Sequence, residues 1–577
     1  MLWGAVAAVR LWSAYGSARD GLAAMTDVRA AATQDLPTFI SSIGGEQDDT
    51  PEEKIPDQLA AAARSFSDAR DQVDSPLLAP LKVLPVVGRQ LRSVSALAGA
   101  AATTASDAGT AFGQLSDEAA KKARAPEERL AGAERTQQVL TDLRGRLGKL
   151  DLGPDEGLVG PLARSRARFV EEYDRTMDTL GRAVTSVTGV NKFLTGPSTY
   201  LVLAANNAEM RAGSGMYLQV GTLTVDNGRF DLGEFVSSAD LLLPSPGATV
   251  DPDIQSLWGW LVPNQEWRNL NLSPRFDESA RMATEMWAAS GRGKVDGVIA
   301  IDVVGLQRLL EIVGPVEVPD DTGGSTTVTA DNVRQDLLLD QYLTFRDAND
   351  RRRERLGRVG TAVFESFNER SFSAYRLLQA LQESGAGRHM LLWSNDRVEE
   401  DAWRALDASG IVPADTMLLS VLNRGGNKLD QFLGVDAAIT SVTAGDNRRM
   451  TVKVTMANRT PPGLPTYVAG PFPRTPVRPG EYVGILALTV PKGAGHPSVV
   501  GGDLFLTGDD GPTRVLTTKV DVLPGATAEF TFQFDLPTSW TQVQVLPSAR
   551  VPEVTWTAGN QQWTDGAPRT VPLADLG

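Results

Sequence analysis

The chain contains no cysteine and only two histidines, His389 and His496, among 577 residues. The first absence excludes disulfides, thiolate catalysis and cysteine-ligated zinc. The second argues against a two-histidine metal site and forces any Ser-His-Asp triad onto one of two positions. A basic surplus is missing too: 56 Lys and Arg stand against 71 Asp and Glu, a net charge of −15. Phosphate recognition leaves a basic footprint on a domain, so no nucleic-acid partner is expected and any anion site must be local. Carboxylates and arginines are left to carry whatever chemistry is present.

No apolar run is long enough to cross a bilayer. Met1 to Val9 stops at Arg10 and covers about half of a 30 Å hydrocarbon core. With Trp3, Trp12 and Tyr15 where interfacial aromatics sit, the segment reads as the outer end of a transmembrane helix. A buried or fraying N-terminal helix fits these residues equally well.

What is present divides by period. The expected fold class is multidomain α+β. Residues 1–12 form a partial membrane anchor, and 13–195 form a helical stalk or bundle with apolar residues recurring at three and four. Residues 196–435 form an α/β domain of alternating strands and helices. In 436–577, alternating strands between Pro/Gly turns indicate a β-sandwich.

Three polar clusters fall in the α/β part. Tyr200 to Phe230 is two apolar runs around a loop carrying Asn206, Asn207, Glu209 and Arg211 beside Gly213-Ser214-Gly215. Its Gly-rich backbone could meet an anion, although turn geometry alone also accounts for such residues. Trp267 to Arg275 contains Asn271. There Ser273 as N-cap and Pro274 open a helix with buried face Phe276, Ala280, Ala283 and Trp287. Arg275 lies in the first turn, where a cation is disfavoured and an anion would relieve the conflict. Arg346 to Arg355 leads into a helix whose inward line, Leu356, Val359, Val363 and Phe367, extends back to Arg352. A solvated, salt-bridged face is the plainer reading of the other arginines.

The segments NNAEMRAGSGMY, VDGVIAIDVVGLQRLLEIVGPVEV, DANDRRRERL, HMLLWSND, NRGGNKLDQFL and LPTYVAGPF together resemble an uncharacterised bacterial family, domain of unknown function four-zero-one-two. The resemblance runs from about Leu201 to Gly470. A more distant one is to the LytR-CpsA-Psr proteins, which transfer undecaprenyl-linked glycopolymers onto peptidoglycan. It rests on Leu201 to Arg211, Val295 to Val318, Asn271, and Tyr342 with Arg346, Asp350 and Arg352 or Arg353.

By that resemblance the central domain has the LytR-CpsA-Psr fold. Arg211, Arg275, Arg346, Arg352, Arg353, Asn206 and Asn271 would hold a pyrophosphate, with Glu209 nearest for metal or base work and magnesium as cofactor. The implied partners are a lipid-linked glycan or polyprenyl-pyrophosphate, the cytoplasmic membrane and cell-envelope polymers. The implied location is a single-pass anchor with the bulk of the chain extracytoplasmic. The departures are as specific. Arg211-Ala212-Gly213 stands where that family has Arg-x-Asp, and Leu232 to Pro244 lacks its arginine. Metal-assisted phosphoryl transfer needs a cation to neutralise developing charge, so binding without turnover, or a non-catalytic scaffold, is the alternative expectation.

Overall fold

Four long helices build the N-terminal part of the computed structural model, which describes residues 10, 13–18, 55–121, 125–319, 324–344, 349–471 and 477–576, without the side chains of 349–354, 374–375 and 575. The chain divides into two compact units, 1–191 with 372–379, and 192–371 with 380–577.

In the first unit the helices are α1 (Ile55–Asp74), α2 (Pro85–Ala119), α3 (Pro126–Leu147) and α4 (Gly160–Thr195). Along α1, Ile55, Leu59, Ala62, Phe66, Ala69 and Val73 are buried, the three-and-four spacing that puts one stripe on one face. The stripe meets Ala101, Ala105 and Phe112 of α2, where small side chains let the two backbones approach. A second cluster joins Ala111 and Leu115 to Leu140, Leu143 and Leu147 of α3 and Leu180, Ala183 and Val187 of α4.

Among the described residues no helix is long and apolar enough to cross a membrane. The α2 and α4 helices have the length but carry charged side chains, and charge disfavours insertion. This corrects the single-pass, membrane-anchored reading with its extracytoplasmic location, and the membrane and lipid-linked partners that depended on it. The anchor segment Met1 to Val9 lies outside the described residues.

The second unit opens with a mixed sheet in the order β3-β2-β1-β5-β8, with β4 beside β2. Its strands are β1 (Ser198–Met210), β2 (Gly215–Asp226), β3 (Arg229–Leu232), β4 (Val236–Ser237), β5 (Gly297–Ile301) and β8 (Met390–Ser394); β6 (Val316–Pro319) and β7 (Ser325–Val328) pair separately. The α5 helix (Pro252–Trp258) precedes α6 (Phe276–Ala289). Phe276, Ala280, Ala283 and Trp287 of α6 pack on Leu201, Leu203, Val298 and Ala300, the face expected from their spacing. The α7 helix (Val303–Val313) follows β5, and α8 (Asn349–Glu369) buries Val359, Val363 and Phe367; α9 (Ala374–Ala386) and α10 (Arg397–Ala405) flank β8.

Two six-stranded sheets complete the unit, β13-β16-β11-β10-β18-β19 and β14-β15-β12-β9-β17-β20. In chain order they are β9 (Thr416–Asn423), β10 (Leu433–Ala444), β11 (Asn447–Asn458), β12 (Tyr482–Pro491), β13 (Gly495–Val500), β14 (Leu504–Asp510), β15 (Thr513–Val522), β16 (Thr527–Pro537), β17 (Gln542–Val545), β18 (Thr555–Ala558), β19 (Gln561–Thr564) and β20 (Arg569–Pro572). Both sheets contribute to one core, for example Met450, Val452, Val454 and Met456 with Leu486, Leu488, Leu516 and Trp556.

The β9 strand is the hinge of the architecture. Met417, Leu419 and Val421 enter the two-sheet core, while Leu422 joins Ala212, Leu257 and Trp258 of the α/β part. Burial on both faces explains why Met417, Leu418, Leu419, Val421 and Leu422 do not alternate with exposed polar residues.

Candidate functional site

At its carboxyl end β1 leaves the ladder. Asn206 pairs with Met216 and Met210 with Gly215, so Asn207, Ala208 and Glu209 bulge out of register. Every side chain there is buried, and a buried polar group must find a partner. Asn206 donates to the Tyr342 hydroxyl at 2.8 Å and accepts from the Ala208 amide at 2.9 Å. Asn207 donates to Asp302 at 2.6 Å and to the Ala549 carbonyl at 2.9 Å. Asp302 also caps α7 through the amides of Val304 and Gly305 and meets His389 Nδ1 at 2.7 Å.

Glu209 is paired with Lys428, whose ammonium lies 5.1 Å from the ring centres of both Tyr342 and Tyr467. Burial pushes Lys428 down to about 7. The carboxylate and the two ring faces act in the opposite sense, favouring the charged amine.

The Met210 amide donates to Asp430 at 3.1 Å. Asp430 also accepts from Asn423, Tyr482 and Arg550 at 2.9, 2.8 and 3.0 Å. Burial, with the Asp430 carboxylate beside it, holds the Tyr482 phenol well above its ordinary range.

Arg211 donates from Nη1 to the carbonyls of Met210 and Asn423, both at 3.0 Å, and its buried Nε has no partner. Burial first, then the neighbouring Arg424 guanidinium, pushes Arg211 down to about 10.

The other expected residues are dispersed. Asn271 donates to the Gly215 carbonyl at 2.8 Å and so braces the Gly-Ser-Gly turn. The α6 helix starts at Phe276 with Arg275 in the N-cap position, two residues later than Ser273 and Pro274 predict. Ser273 instead donates to Asp510 at 2.7 Å and accepts from the Arg275 amide at 3.1 Å. The charge conflict at this helix start is relieved by the chain itself: Arg275 meets Asp251, Glu278 and Asp510 at 3.2 to 3.3 Å. Arg346 lies outside the described residues, as do the side chains of Arg352 and Arg353. Arg355 of that helix is buried and paired with Asp336 at 2.8 Å.

Where the LytR-CpsA-Psr resemblance expects aspartate, Gly213 is hemmed in: a Cβ there would sit 3.1 Å from both the Asn271 Cβ and the Ser273 carbonyl. Among the described residues no group of three or more His, Asp or Glu side chains is placed to hold a metal ion.

Sequence reasoning missed Lys428, Asp430 and Arg550. The polar run Asn423 to Asp430 signalled Lys428 and Asp430 only as a motif, because Glu209 and the Met210 amide, which they meet, lie more than two hundred residues away.

Comparison with known proteins gives one family match, to a protein of unknown function (DUF4012), over residues 195–342. No curated protein and no solved structure matches. The resemblance to LytR-CpsA-Psr proteins gains no support, and the match covers less than the expected span to Gly470. Residues 195–342, which hold β1 and its polar exit, are similar to that family of unknown function.

Proposed function

We propose that this protein is a non-catalytic scaffold in which the polar exit of β1 is a structural junction. One observation carries the reading. Asn207, Glu209, the Met210 amide and Arg211 all find partners on the β9-to-β20 side of the unit, at Ala549, Lys428, Asp430 and Asn423. A catalytic carboxylate has to reach a substrate proton, whereas Glu209 is 8% exposed and engaged by an ammonium in an aromatic box. Satisfied buried networks rigidify a fold and fix one arrangement of its parts. A rigid junction suits a protein whose work is to hold surfaces in place.

The test replaces the chromosomal copy with the Glu209→Gln, Lys428→Met double variant, an uncharged pair of similar volume. A scaffold keeps its cross-linked partners and supports normal growth whenever the variant is folded and normally abundant. Behaviour like a deletion from a variant with parental Tm and abundance sinks the reading.

A further inference from the structure

In one region of the second unit, two aromatic rings each lie beside a cation that has no carboxylate partner among the described residues. The 3-10 turn Gly259–Leu261 after α5 leaves Trp260 53% exposed and Val262 43% exposed. Val262 sits at φ 47°, a conformation that is strained for a β-branched residue and tends to persist where surroundings impose it for a use. Phe505 of β14 meets Trp260 edge to face, with ring centres 6.4 Å apart.

Each ring carries a cation. The Arg424 guanidinium is 5.4 Å from the Trp260 ring centre, and the Lys519 ammonium is 4.4 Å from that of Phe505. Among the described residues neither Arg424 nor Lys519 forms an ion pair, and beside Arg424 the buried Arg211 has only carbonyls as hydrogen-bond partners. Arg268 is the exception in the region, already held by Glu266.

We propose that Trp260, Val262, Phe505, Arg424 and Lys519 form a docking surface for an acidic protein segment whose carboxylates alternate with apolar side chains. This inference rests on the scaffold reading and names the class of partner. Charge complementarity selects the occupant: in a chain of net charge −15, two cations without ion pairs among the described residues lie beside an exposed indole and a half-buried phenyl ring, and carboxylates would complete them. Trp and Arg are the side chains that most often dominate interface energetics, in a centre rimmed by weaker contacts. A nucleic-acid strand is disfavoured because a chain of net charge −15 repels a continuous polyanion. Isolated carboxylates spaced by apolar groups avoid that repulsion while still covering the indole.

The probe is a fluorescein-labelled fifteen-residue peptide alternating Glu with Leu and Phe, titrated with the full chain and read by anisotropy. The expected result is saturable binding, weakened about tenfold by Trp260→Ala with Arg424→Ala, and about as much when the peptide's Glu are changed to Gln. Both positions are exposed, so the variant should keep its Tm; Lys519→Ala, on the opposite ring, gives an independent second loss. Equal binding by parent and variant overturns the proposal, as does no binding up to about 1 mM peptide. Tighter binding of an oligo-dT strand or of anionic vesicles than of the peptide, abolished by the same variant, also overturns it in favour of those ligands. Peptide binding is read on purified protein and the scaffold reading in cells, so either can fail while the other stands.

Discussion

Arg550 donates from Nη1 to Asp430 Oδ1 at 3.0 Å, with neither side chain exposed. Arg550 also donates to the carbonyls of Asp430 and Leu433 at 3.3 and 2.9 Å, so the pair ties the segment between β17 and β18 to the turn before β10 and, through Asp430, to the Met210 amide. Removing one partner strands a buried charge, which typically costs about 3–5 kcal/mol. Asp430→Asn should therefore lower the denaturant midpoint severely. Pairing it with Arg550→Met should recover part of the loss in a double-mutant cycle.

Lys428 gives a pH signature. Burial lowers it to about 7, against an unfolded value of about 10.4. Between those values the unfolded chain binds more protons than the folded one, so stability rises with pH across that window and the penalty is complete below it. Lys428→Met should flatten this slope. Glu209→Gln, by removing the compensating carboxylate, should steepen it, as read from urea midpoints between neutral and alkaline pH.

Gly213 lacks room rather than a side chain's chemistry. With a Cβ 3.1 Å from the Asn271 Cβ and the Ser273 carbonyl, Gly213→Ala should cost about 1–3 kcal/mol through overpacking. Calorimetric Tm checks this, and an unchanged Tm would mean the Asn271 turn yields freely.

Arg275 and Glu278 should differ. Arg275→Ala leaves Asp251 and the fully buried Asp510 without their cation, while Glu278 keeps Arg281 at 2.8 Å, a loss of about 3–5 kcal/mol. Glu278→Ala leaves Arg275 two carboxylates, and is expected to cost about 1 kcal/mol or less. Equal midpoints for the two variants would contradict the ranking.

The sequence alone determined the elements that depend on near neighbours. Period three-and-four placed the N-terminal helices and the buried face of α6, and alternation placed β11 and β16, because a helix or strand sorts its own side chains by face. It also fixed the lack of cysteine chemistry and of a long apolar run. What it did not determine is the meaning of each charge. Arg211 and Glu209 read as groups awaiting a ligand because their partners, Asn423 and Lys428, are more than two hundred residues away in the chain, as is Asp510, the buried one of the three carboxylates that meet Arg275. Only tertiary structure brings those groups within hydrogen-bonding distance. It gave the polar side chains at the exit of β1 protein partners and, among the described residues, left Arg424 and Lys519 without ion pairs beside the rings of Trp260 and Phe505, neighbours that no local pattern encodes.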